Sequence, residues 1–192
     1  MSILSDVIEA RNRDQSFLLF QWVCLAERPL TVTELRYALA ANNAPITAYR
    51  RSWVKTRGFV ESDERMKRKV KALAGGLATV VLSTDHEKTV QVVHQSVNDF
   101  LSAKGLRLLY HSIDARTSFV DENNILLRCQ ASLYRSCLNY LTTGQVSSET
   151  FDFTGSKDKI LAHHPFLHYA ATVSTSLFMQ RSGLVSNGDD TE

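Results

Sequence analysis

LATVVLSTDHEKTVQVVHQSVNDFL, residues 77–101, holds two apolar, β-branched runs and then a helix-like segment. LATVVLS and TVQVVH predict two strands, and the polar TDHEK between them predicts a turn or short loop, so the pair reads as a hairpin. His94 stands where the second run stops. Ser96 and Asp99 follow three apart, ahead of Phe100 and Leu101. That spacing predicts a helix start with the Ser96 oxygen capping a free amide and Asp99 favoured at the positive end. His94 is thus expected at a strand-to-helix corner, where side chains often meet ligands.

Upstream, the chain reads as three helices. FLLFQWVCLAER, from Phe17, is apolar nearly all round, which predicts a helix buried on several sides and ended by Pro29. In LTVTELRYALA, Thr31 and Glu34 have capping-box spacing, Leu30 and Leu35 suit a hydrophobic staple, and Leu35, Ala38 and Leu39 form one apolar stripe. A loop with Asn42, Asn43 and Pro45 follows, with Trp53 and Val54 expected to pack back locally. From about Glu64, Met66, Val70 and Leu73 recur at helical spacing until Gly75 and Gly76 stop the helix. Helix, helix, helix, hairpin, helix is the order of a winged helix, a relative of the helix-turn-helix modules that dock on DNA.

The second half is expected to be helical. Leu126, Cys129, Leu133, Cys137 and Leu141 keep helical spacing, GQVSSETFDFTGSKDK reads as a polar loop, and HPFLHYAATVSTSLF opens with Pro165 at a first helical position. The fold class is therefore mainly α: a winged helix, with a three-helix core and a two-stranded β wing, followed by a helical extension. The expected divisions are a lead-in at 1–14, the winged helix at 15–104, the extension at 105–180 and a frayed tail at 181–192.

Composition bounds the function. A chain of 192 residues, 44% hydrophobic and 22% charged, is an ordinary globular protein. No run approaches the ~20 apolar residues of a membrane span, and the N-terminus has no secretory pattern. Cys24, Cys129 and Cys137 show no framework spacing, so a reducing, cytoplasmic setting is expected. Between Arg50 and Lys71, nine basic residues face three acidic ones, a local balance of +6 in a chain of net +2. Arg65, Lys67, Arg68, Lys69 and Lys71 make a candidate basic contact face. It supports the alternative function, a winged-helix nucleic-acid-binding protein using the basic helix 65–71. A solvated cationic face, or one docking an acidic partner, is the favoured reading, because nothing in the helix singles out base recognition.

Taken in order, LFQWVCLAERPLTVTELRYALA, KVKALAGGLATV, VQVVHQSVNDFL and HPFLHYA resemble the region following the NACHT nucleotide-binding domain in fungal NOD-like receptors. Those are signal-transducing NTPases of the STAND class, often with C-terminal ankyrin repeats. The similarity runs from about Gln15 to Phe178. The same module accompanies other fungal proteins, some labelled as relatives of a GPI inositol deacylase, so a family label could name a chemistry this segment does not contain. The resemblance implies a role for His94: in related receptors a histidine at this corner contacts the β-phosphate of bound ADP. The plant version reads Met-His-Asp, and here the positions are Val93, His94 and Gln95. No GxxxxGK[ST] loop occurs, so the nucleotide-binding domain is not in this sequence and ATP hydrolysis is not expected. The chain is expected to be a non-catalytic regulatory and interaction module with no cofactor of its own. ADP or ATP would act only through a NACHT domain, and that domain and ankyrin repeats are the expected partners, in cis or in trans.

Two rival chemistries carry less weight. His94, Ser96 and Asp99 lack a G-x-S-x-G elbow that would expose the serine as a nucleophile. His163, His164 and His168 lack a carboxylate or thiol pattern to complete a metal site.

Overall fold

Thr31 and Glu34 cap one another at the start of a helix, as their spacing predicts. The Glu34 N–H donates to Thr31 Oγ1 at 3.1 Å and the Thr31 N–H donates to Glu34 Oε2 at 2.8 Å. In this computed structural model, residues 4, 8–42, 58–83, 86–113, 122–142, 146 and 157–181 are described. Trp53 and Val54, expected to pack locally, lie outside them.

A short 3-10 turn, Ala10–Asn12, leads into α1 (Arg13–Leu25). The capped helix is α2 (Val32–Asn42), and α3 spans Asp63–Ala74. Strands β1 (Ala78–Leu82) and β2 (Lys88–Val92) pair antiparallel, with Val80 opposite Val90. Helix α4 (Gln95–Phe100) continues through a wide π-type turn at Leu101–Gly105 into α5 (Leu106–Ile113). The extension supplies α6 (Glu122–Leu141), α7 (Lys157–His163) and α8 (Leu167–Arg181). A three-helix core, a two-stranded wing and a helical extension are thus present as expected.

Several boundaries differ from those the sequence predicts, each for a local reason. Helix α1 stops at Leu25, short of Pro29, because Ala26 is already extended at ψ 144°. Helix α8 begins at Leu167, with the Leu167 N–H turned back onto the His164 carbonyl at 2.9 Å, so Pro165 precedes the helix. Lys157, Asp158 and Lys159, expected in a loop, are in α7. The end of α3 agrees with its glycines: Gly75 and Gly76 have φ of 54° and 85°, which a side-chain-bearing residue adopts only under strain.

Ser62 caps α3 by accepting the Arg65 N–H at 3.3 Å. Ser62→Ala is expected to lower stability by about 1 kcal/mol, read as a shift of the urea midpoint at constant slope. A midpoint that does not move would deny the cap any role.

The helices meet in one core. Ser16 Oγ on α1 donates to the Leu73 carbonyl of α3 at 2.8 Å, and Arg36 on α2 reaches the Val60 and Glu61 carbonyls and Asp63 at 2.6–2.9 Å. The wing is anchored at its base, where the Val90 N–H donates to Leu30 O at 2.9 Å and Thr31 bridges Thr89. The extension shares the same hydrophobic cluster: Tyr140, Phe166 and Tyr169 are buried with Trp22 and Phe20 of α1. Asn42 at the end of α2 accepts from Ser132 and Ser136 of α6 at 2.8 and 3.0 Å.

Candidate functional site

The corner begins with the geometry of one residue. His94 is extended, with φ −156° and ψ 151°, immediately before Gln95 opens α4. Its Nδ1 accepts the Ser96 N–H at 3.2 Å and lies 2.8 Å from Ser96 Oγ. His94 itself is therefore the cap, and Ser96, expected to be the cap, sits inside the first turn. The correction has a simple cause. An imidazole nitrogen reaches the amide two residues ahead just as an aspartate oxygen does. Asp99 Oδ1 accepts from Gln95 Nε2 at 2.8 Å, one turn back on the same helix. With its carboxylate committed there, Asp99 does not extend the Ser96–His94 pair into a relay.

Capping fixes the ring's chemistry. A nitrogen that accepts an amide proton carries none of its own, so the neutral ring holds its hydrogen on Nε2. The residue is exposed at the rim of the wing, so Nε2–H is the donor this corner can offer. Val93, next to it, is 49% exposed.

The five basic residues of α3 do not share one face. Met66, Val70, Leu73 and Ala74 turn inward, and the cations surround the rest of the cylinder. Lys67 and Lys71 lie one turn apart beside the wing, and Arg68 is exposed. Arg65 pairs with Glu61 at 3.0 Å and Lys67 with Glu64 at 2.5 Å. Lys69 is half-buried, and that burial lowers its pKa from the ordinary lysine value. Lys88, in a segment expected to be a turn, lies in β2 and comes up against Lys67; that neighbouring ammonium lowers its pKa. Lys88 stands opposite Leu82 in the register, a pairing that only the structure shows.

Sequence reasoning also missed a hollow of about 520 Å³ between α1, α5 and α6, lined by Phe17, Gln21, Tyr110, Arg128, Ser132 and Arg135. Arg128, Ser132 and Arg135 follow i, i+4, i+7 spacing on α6, a signal present in the sequence. Of the other candidates, His164 is buried, His163 Nδ1 lies 2.9 Å from Lys159 O, and the described residues contain no cluster of three metal-ligating side chains. The three cysteines are free, and burial pushes Cys24 and Cys137 up to about 12 and Cys129 to about 11. Among the described residues no helix is long and apolar enough to cross a membrane.

Three core helices, an antiparallel wing and the helix that follows it define a winged-helix protein with a helical extension. Residues 4–110 match the family described as GPI inositol-deacylase, winged helix domain, and the chain belongs to that family. That description names a winged-helix domain and assigns no reaction to these residues. No curated protein and no solved structure matches the chain.

Proposed function

We propose that the chain is a regulatory, non-catalytic module of a fungal NACHT-type receptor. In this reading His94 donates its Nε2–H to the β-phosphate of ADP held by a NACHT domain, in cis or in trans. The module couples that nucleotide state to downstream repeats. The observation that carries it is the His94 corner: Nδ1 is occupied by the Ser96 amide, which leaves Nε2–H as the remaining ring donor of an exposed residue. A hydrogen bond from imidazole to an anionic phosphate is worth roughly 1.5–3 kcal/mol. Made only in the resting arrangement, it shifts a two-state equilibrium about tenfold or more towards rest.

The test belongs in a full-length receptor carrying this module. His94→Leu and His94→Asn are both expected to lower ADP retention about tenfold and raise basal signalling. Asn keeps a capping oxygen, so its thermal stability stays near wild type. Its shorter amide places no donor where Nε2–H stood, which separates loss of that donor from loss of the cap. Unchanged ADP occupancy in His94→Asn would end the sensor role. Nucleic-acid binding by α3 has less support, because Arg65 and Lys67 are in ion pairs and Lys69 is half-buried.

A further inference from the structure

The wing has one protected edge and one open edge, and the register identifies which is which. The Val93 N–H donates to Leu77 O at 3.1 Å and the Ser83 N–H to Glu87 O at 2.7 Å. With Ala78 opposite Val92 and Leu82 opposite Lys88, the hydrogen-bonded rungs of β1 fall at Thr79 and Val81. The N–H and C=O groups of Ala78, Val80 and Leu82 therefore point away from β2. On the far side of β2 the Val90 N–H is engaged by the Leu30 carbonyl and Thr31 bridges Thr89. Among the described residues, none supplies a hydrogen bond to the outward groups of Val80 or Leu82.

Open edges are normally blunted by lysine, proline or a bulge. β1 is Ala-Thr-Val-Val-Leu in an unbroken ladder, with none of these. Its Val81 and Leu82 are 40% and 60% exposed. Beside the edge runs a groove of about 390 Å³ lined by Lys67, Val70, Lys71, Ala78, Thr79 and Val80. The wall on the α3 side is cationic. Lys67 has Glu64 as its salt-bridge partner, Lys71 makes no salt bridge among the described residues, and Lys88 approaches Lys67 as a like charge.

We propose that the open edge of β1 docks an extended segment of a partner protein in which acidic and apolar residues alternate. The added strand pairs its backbone with Val80 and Leu82. Successive side chains of a strand point to opposite faces. One set therefore meets Lys71, where a carboxylate supplies the missing countercharge, and Lys67, which shares Glu64 with the like charge of Lys88. The other set runs along Thr79 and Val81, where apolar groups cover β-branched surface. Duplex DNA would use the cations but leave the backbone groups of β1 unpaired, so the exposed amides favour a peptide.

The test uses the full chain and a fluorescent peptide of alternating Glu and Val, followed by anisotropy. Saturable binding is expected, weakened about tenfold or more by Val80→Pro, which removes an outward N–H along with the half-buried valine side chain and leaves the rungs at Thr79 and Val81 in place. Lys67→Glu with Lys71→Glu is expected to weaken it about tenfold, and replacing the peptide's Glu by Lys to abolish it. N-methylating the peptide's edge-facing amides is expected to abolish binding to the unaltered chain, which keeps the test decisive if Val80→Pro disturbs folding. Four results would overturn the proposal: no binding, equal affinity for the N-methylated peptide, tighter binding of a DNA duplex than of the peptide, or self-association of the chain through this edge.

Discussion

Phe166→Ala is expected to remove about 3–5 kcal/mol of stability, a large fraction of what keeps a domain folded. The ring is fully buried where the extension meets the three-helix core. It packs edge-on against Trp22 at 5.7 Å and Tyr140 at 5.2 Å, and stacks with Tyr169 at 5.4 Å. Three aromatic partners on three helices cannot all move into the space, so much of the vacated volume stays empty. Because Trp22 belongs to α1 and Tyr140 to α6, the loss should be felt in both halves at once. Urea unfolding followed by tryptophan fluorescence and by far-UV circular dichroism should show coincident transitions, both displaced to lower denaturant. A variant in which the core melts at its original midpoint while helix is lost earlier would show that the extension is energetically separate.

Glu34→Ala is expected to cost about 2–4 kcal/mol, mostly through the groups it strands. The Glu34 side chain is 8% exposed and serves three donors: Arg28 Nη1 at 2.9 Å, Arg28 Nη2 at 2.5 Å and the Thr31 N–H at 2.8 Å. Arg28 in turn stacks over Tyr169 at 5.1 Å, tying the start of α2 to α8. Thr31 and Leu30 hold the inner edge of the wing. Losing the carboxylate should therefore loosen the wing as well as the helix. Hydrogen exchange at the Val90 amide, which depends on the Leu30 carbonyl, is expected to quicken in Glu34→Ala. Glu34→Gln keeps one acceptor for Thr31 and should lose about half as much stability. Equal losses in the two variants would place the effect in the charge alone.

The capping box at Thr31 and Glu34, the glycine stop after Leu73 and the period-two runs of the hairpin were all readable along the chain. Each depends on residues at most four apart, or on a repeat that any unfolded stretch already carries. The corner at His94 was readable in the same way, but its cap was misplaced. Serine is the commoner capping residue, and only coordinates distinguish which acceptor reaches the amide.

Contacts between distant segments had no such signature. That Arg28 and Glu34 meet over Tyr169, far along the chain, follows from the docking of α8 and not from any local pattern. Lys88 joins Lys67 because a strand and a helix pack side by side, and the open face of β1 is known only once its partner strand is seen to lie on one side. Helix starts, stops and strand periods come from short-range sterics and hydrogen bonding, which neighbours along the chain supply. Which edges stay open and which charges lack partners are decided by long-range packing, where many weak apolar contacts act together and no single residue announces the outcome.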